Sequence, residues 1–257
     1  MGSSMTNLSN ELMVVENVSV SVEDKQVVSG LNLRIGCGET HVIMGKNGSG
    51  KSSFLNALVK NPKYSIVDGD VRVNGNTILD KSVAEVAQMG VFLSFQSAPA
   101  IAGLSISTLL KNSVNSIRRA RNEKVLSAPE YFRLAKEYCD LLEIPQDWLK
   151  RAVNVGFSGG EKKRVSMLEM LFLEPKIALL DEPDSGVDMD SVNVIAKAVA
   201  YQKAKGTSFL IVSHYPKLIS LSQPEFVHIM RDGRIVEEGG MELANRVLDS
   251  GFGGEDM

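Results

Sequence analysis

"HVIMGKNGSGKSSFLNAL", residues His41 to Leu58, decides how the rest of the chain is read. An apolar run ends at Met44, a glycine-rich loop follows, and Phe54, Leu55 and Leu58 then recur at helical spacing. Gly45 to Ser52 spell G-x-x-x-x-G-K-S between a strand and a helix, the context that a phosphate-binding loop requires. Each position has a chemical reason. Gly45, Lys46, Asn47, Gly48, Ser49 and Gly50 wrap the backbone until successive N–H groups point at a nucleotide's β-phosphate. The helix start adds partial positive charge. Lys51 reaches the β/γ oxygens, the Ser52 hydroxyl ligates Mg²⁺, and Ser53 belongs to the same cradle. Chance would produce this pattern in a chain of this length on the order of once in a hundred.

Outward from the loop, the first 45 residues read as strands. "LMVVENVSVSV" (12–22), "LNLRI" (31–35) and "ETHVIM" (39–44) are separated by turn signals at Glu23–Lys25 and Gly36–Gly38. "DVRVNG" (70–75) and "GVFLSFQ" (90–96) continue the strand signal. It then vanishes. "SISTLLKNSVNSIRRARNE" (105–123) and "PEYFRLAKEYCDLLEI" (129–144) carry helical spacing instead, the second with a proline in its first turn. "KIALLDEP" (176–183) restores a buried strand. Helix, strand ("TSFLIVSH", 207–214), helix and a hairpin turning at Asp232-Gly233 follow, with a last helix from Met241. The expected fold is α/β, a parallel-sheet core split by an all-helical insertion. Residues 12–96 and 176–257 form the core, and 97–175 the helical subdomain. Ligands of such sheets sit beyond the carboxyl ends of the strands.

Composition narrows the classes. The 257 residues carry a net charge of −3 and are 44% hydrophobic, as in an ordinary globular protein. The acidic balance argues against sequence-independent nucleic-acid binding, so no nucleic-acid partner is expected. No apolar run approaches the ~20 residues of a membrane span, so no direct membrane insertion is expected. "MGSSMTNLSNEL" lacks the apolar centre of a signal peptide, and its first four residues read as an appended segment. Cys37 and Cys139 form no CxxC pair and read as small buried or half-buried hydrophobes in a reducing, cytoplasmic setting. His41, His214 and His228 are scattered along the chain.

"IALLDEP" supplies a second half to the loop: Asp181 would hold Mg²⁺ and Glu182 would polarise the attacking water. No N-K-x-D segment marks a GTPase. Instead "VGFSGGEKKR" (155–164) places Ser158, Gly159, Gly160 and Glu161 at a helix start just upstream. A Gly-Gly helix start offers bare N–H donors to an approaching group; the plain alternative is a serine N-cap. Lys162, Lys163 and Arg164 either raise the local positive potential or form a solvated basic face.

These motifs, in this order, resemble those of the ATP-binding cassette (ABC) family, whose signature is usually LSGGQ. The resemblance implies an α/β cassette with an N-terminal antiparallel β region, acting as a Mg²⁺-dependent ATPase. It implies that Gln96 is the Q-loop residue that senses Mg²⁺ and water, that "DSGVD" (184–188) is the D-loop, and that His214 is the switch histidine near the γ-phosphate. It also implies a second copy of the chain in the ATP-bound state, its Ser158–Gly160 completing the partner's site. The aromatic residue on which many members stack adenine has no counterpart in "NVSVSVEDKQVV" (17–28). "VSVEDK", "VNVGFSGGEKKR", "DSGVDMD", "SHYPKL", "GRIVEEGG" and the closing "DSGFGG" further resemble the SufC branch, over about residues 12–252. That branch implies SufB-like and SufD-like scaffold partners in iron–sulfur cluster assembly. Two distant cysteines suit a motor better than a scaffold, since a cluster usually takes four. The alternative is the nucleotide-binding subunit of a membrane transporter. "SAPAIAGLS" (97–105), where partners are gripped, departs from the usual form.

Overall fold

A computed structural model describes residues 11–250; the opening MGSS and most of the closing DSGFGG lie outside them. The chain begins with β1 (Glu11–Val22), β2 (Lys25–Gly36), β3 (Thr40–Met44), α1 (Lys51–Leu58), β4 (Ser65–Val73), β5 (Asn76–Thr77), α2 (Val83–Gln88) and β6 (Val91–Ser94). It continues with β7 (Ile101–Ser105), α3 (Ile106–Ala120), α4 (Ala128–Leu142), β8 (Ala152–Val153) and α5 (Gly159–Leu173). Then come β9 (Ile177–Asp181), α6 (Met189–Ala204), β10 (Ser208–Val212), α7 (Pro216–Ser222), β11 (Phe226–Arg231), β12 (Arg234–Gly239) and α8 (Met241–Ser250).

Six strands make the main sheet in the order β12-β11-β3-β10-β9-β6, all parallel except β12, which returns as a hairpin. A separate antiparallel sheet, β2-β1-β4-β5, covers one side. The β1–β2 turn needs no glycine: Glu23 and Asp24 both take positive φ, the pairing that matches strand twist in a tight hairpin. Strands β3, β9 and β10 are buried on both faces, as a central parallel sheet requires. Ile43, Leu179, Leu210 and Val212 face α1 and the antiparallel sheet. Val42, Met44, Leu180, Phe209 and Ile211 face the helical side. Phe54, Leu55 and Leu58 clamp α1 into the first core with no exposure. Each contributes roughly 2 kcal/mol by burial, and Leu55→Ala would cost about 3 kcal/mol with its cavity. The loop before α1 is held through this packing.

Register gives the sheet a working edge. Val212 lies opposite Asp181 on one side and Ile43 on the other, and Ser94 lies opposite Leu180. The segments that follow β3, β6, β9 and β10 therefore emerge together.

Three expectations need correction. The insertion is not all-helical: β7 and β8 pair antiparallel, Ile101 with Val153 and Ser105 with Ala152. β8 is two residues long, too short for a periodicity signal. Cys37 is exposed, because it sits in the turn after β2; Cys139 is buried and its thiol is pushed up to about 11. Two of the scattered histidines meet: His41 Nδ1 and His228 Nε2 are 2.9 Å apart on neighbouring strands. Glu39 and Glu238 hold their outer nitrogens, and burial pushes His228 down to about 4.

Candidate nucleotide site

The loop between β3 and α1 leaves its helix start open. Gly50 is the N-cap of α1 with φ +104, no side chain caps the helix, and its first turn holds no acid. A side chain at Gly50 would be strained and would meet the Val27 carbonyl at 2.6 Å; one at Gly45 would meet the Met230 carbonyl at 2.2 Å. The loop is thus pinned between the β1–β2 hairpin and β11. Lys51 Nζ folds back onto the carbonyls of Gly45 (2.8 Å) and Lys46 (3.0 Å). Burial lowers the Lys51 ammonium from its ordinary range, against the pull of Glu182 and Asp181. Its close partners are these neutral carbonyls, and the two carboxylates act on it from further away. Lys46, Asn47 and Gly48 are exposed, whereas Ser49 is buried.

A pocket of about 390 Å³ opens over this loop, lined by Val27, Asn47, Gly48, Gly50, Lys51, Ser52, Ser53, Gln96 and Glu182. Ser52 Oγ donates to Asp181 Oδ1 at 2.9 Å. Asp181 ends β9 and is 2% exposed. Burial raises its carboxyl, and the Ser52 hydroxyl partly offsets that. Gln96 Nε2 donates to Glu182 Oε2 at 2.5 Å, joining the ends of β6 and β9 across 86 positions of sequence. Glu182 takes φ +45 ahead of Pro183, a strained backbone for a residue with a side chain. Its own N–H is held by the Val212 carbonyl at 3.0 Å.

Two contributors were not legible. Val27 stands in the pocket from the β1–β2 hairpin, an aliphatic surface within the stretch that lacks the aromatic residue of many family members. Lys163 is buried, so it is not part of a solvated basic face: its Nζ donates to the carbonyls of Glu182 (3.1 Å) and Phe95 (3.3 Å). One lysine on α5 thereby ties the segments after β6 and β9 together. Arg164 likewise turns inward, to the carbonyls of Leu142 and Glu143. A charged side chain bonded to a carbonyl sixty-eight positions away leaves no local pattern.

Ser158, Gly159, Gly160 and Glu161 do not line this pocket. They open α5 as a capping box: Glu161 N donates to Ser158 Oγ, and Ser158 N to Glu161 Oε2. Ser158 and Gly159 are exposed. Gly160 lies against Ser191 and Val187, so the turn rests on its own chain's 184–191 segment. In that segment Asp184 is buried, its Oδ1 has no partner, and burial raises its carboxyl. Asp188 caps α6 through Ser191 N at 2.8 Å. His214 is exposed, stands near Asp184 and is not in the pocket wall.

Comparison with known proteins gives concordant results. The family described as "ABC transporter" matches residues 28–185. "Probable ATP-dependent transporter SufC" of Escherichia coli (strain K12) is 39% identical, over 94% of this chain and 98% of that protein. "Vegetative protein 296" of Bacillus subtilis (strain 168) is 37% identical, over 93% of this chain and 91% of that protein. Among solved structures, an ATP-binding cassette of an ABC transporter superposes with a TM-score of 0.74 at 26% identity, covering 93% of this chain and 95% of the other.

Proposed function

The chain belongs to the ATP-binding cassette family and is an ATPase; from that premise we propose that it hydrolyses ATP to drive a conformational change in a SufB–SufD-type scaffold during iron–sulfur cluster assembly. The observation that carries the ATPase part is the Gln96–Glu182 hydrogen bond at the rim of the loop pocket, with Ser52 and Asp181 bonded beside it. The scaffold part rests on near full-length identity to a relative named SufC. Among the described residues no helix is long and apolar enough to cross a membrane.

The residues divide the work as follows. Backbone N–H groups of Gly45–Lys51 and the uncapped start of α1 receive the phosphates. Lys51 exchanges its loop carbonyls for β/γ oxygens, a stronger, charge-assisted contact. Val27 offers the nucleotide an aliphatic contact near the loop. A hydroxyl and a carboxylate 2.9 Å apart form a hard-oxygen pair that suits Mg²⁺, so Ser52 and Asp181 would hold it, with the Gln96 amide alongside. Mg²⁺, when bound, neutralises charge on the phosphate oxygens. Glu182 orients the attacking water and accepts its proton; Gln96 holds that carboxylate until nucleotide draws the amide away. His214 meets the γ-phosphate after a rearrangement of the segment after β10. The turn at Ser158–Gly160, outside its own pocket, serves the pocket of a second copy.

The test is purification of the full chain with the SufB-like and SufD-like proteins of its own organism. A stable complex whose ATP turnover exceeds that of the isolated chain is expected. Retention by a membrane permease instead, with no binding to the scaffold pair, would replace this reading by the transporter one.

A further inference from the structure

Outside the nucleotide pocket, the strongest unexplained feature is a second pocket of about 210 Å³ between β7 and α5. Its walls are mostly apolar, from Phe95, Pro99, Ile101, Leu110, Val165 and Leu173. Phe95 and Ile101 are 42% and 40% exposed, far more than large apolar side chains of a finished surface need to be. Phe95 and Leu173 also border a neighbouring pocket of about 170 Å³, with exposed Val83 at its rim, so the apolar groove continues past Phe95. Two groups in the first pocket do not suit an apolar lining. Glu169, half-buried on α5, has no hydrogen bond or ion pair among the described residues, and its desolvation in the pocket pushes its carboxyl up to about 7. Asn154 is 5% exposed; its Nδ2 anchors the Pro99 carbonyl at 2.9 Å, while its Oδ1 accepts nothing. Lys162 borders the same pocket two turns before Glu169 and makes no ion pair with it.

An isolated carboxylate in such a place is unfavourable unless something pairs with it. Asn154 Oδ1 is an unpaired acceptor, and Glu169 accepts when ionised, so a donor suits both and a cationic donor would hold the Glu169 carboxyl in its charged form. The pocket, at about 210 Å³, has room for a long side chain. We propose that this pocket receives a lysine or arginine side chain of the scaffold partner, carried on an apolar segment that lies along the groove, with Glu169 as the residue that recognises it. The inference rests on the scaffold reading above and names the chemistry of the contact. The position also suits transmission. The pocket shares Phe95 with the segment that leads to Gln96, and the Phe95 carbonyl is held by Lys163, which also holds the Glu182 carbonyl. A side chain seated there touches the strand end that positions Glu182.

The experiment measures binding of the purified scaffold pair to the full chain and to Glu169→Gln, Glu169→Leu and Glu169→Lys. Glu169→Gln is isosteric and should weaken binding on the order of tenfold or more, as expected for one half of a buried charge pair. Glu169→Lys should abolish it. Glu169→Leu separates the explanations: an acid that is merely misplaced predicts equal or tighter binding of the leucine variant, while a paired cation predicts weaker binding. ATP turnover of each isolated variant should match the parent chain, with stimulation by the scaffold lost. Parent-like affinity of the Gln and Leu variants would overturn the inference and leave the scaffold reading intact. If the parent chain does not bind the scaffold at all, that reading fails by itself. The pocket is then judged with N-acetyl-arginine amide titrated into the labelled full chain. Amide shifts at Ala98, Ala100, Ile101, Asn154 and Glu169 that disappear in Glu169→Gln support cation recognition, and their absence in the parent chain rejects it.

Discussion

Two helices of this protein start on glycine-rich turns, and they start differently. The turn before α1 leaves its helix uncapped: Gly50 brings no side chain, no acid stands in the first turn, and Lys51 waits on loop carbonyls. The turn before α5 is closed by a reciprocal Ser158–Glu161 box, with an acid at the third position. An acid there cancels part of the helix-end charge, and the box occupies two N–H groups that an anion would use. So α1 is ready for phosphate in the single chain, and α5 is stabilised without one. The difference teaches that a Gly-Gly helix start is not by itself an anion site. If this turn serves the pocket of a second copy, as proposed above, its cap must open to an opposing phosphate.

The comparison can be broken most strongly at the residue both helices reach. Glu182 faces the pocket of α1 and has its carbonyl held by Lys163 of α5. Glu182→Gln should lower ATP turnover by about 10²–10⁴-fold while ATP is still retained. Single-turnover hydrolysis and nucleotide binding, measured together, check this; parent-like turnover removes the glutamate from its role. Next, Lys51→Ala should weaken ATP binding on the order of a hundredfold, since contacts to charged oxygens disappear, as equilibrium dialysis would register. Undiminished binding would mean that the lysine stays on its loop carbonyls.

A mixing experiment sharpens the division of labour. Lys51→Ala and Ser158→Arg chains should each be inactive alone, yet regain partial activity when combined. One site then joins the P-loop of the Ser158→Arg chain to the signature turn of the Lys51→Ala chain. Full activity of Ser158→Arg by itself would separate the α5 turn from catalysis. The smallest effects concern the cap. Ser158→Ala should cost about 1 kcal/mol, a drop of about 2–4 °C in melting temperature for a chain of this size. Glu161→Gln keeps the capping geometry and removes the charge. ATP-dependent self-association should then tighten a few-fold, in line with about 0.3–1 kcal/mol for a helix-end charge; sedimentation at matched ionic strength would read it.

How far each of these regions was legible depends on where its information lies. The loop at Gly45–Ser52 could be read because eight consecutive residues specify both its backbone and its chemistry. The same holds for Asp181 at the end of an apolar strand and for the Asp232-Gly233 hairpin, whose cues are local. Parallel strands came from alternation of pattern, and the sheet that unites them follows from their double-sided burial. Lys162–Arg164 gave a different lesson. Three adjacent bases look alike in sequence, yet one α5 turn sends Lys163 inward to two carbonyls and Arg164 to two others.

The sequence by itself determined the α/β class, through helix and strand periods, and the phosphate loop, through eight consecutive residues; the order of its motifs carried the resemblance to the family. Tertiary structure alone decided that Gln96 meets Glu182, that Val27 enters the pocket and that β7 finds β8. It alone paired His41 with His228 and left Glu169 without a partner among the described residues in a mostly apolar pocket. These contacts join residues far apart along the chain. Their partners are chosen by sheet order and by which faces are buried, and no local period encodes either.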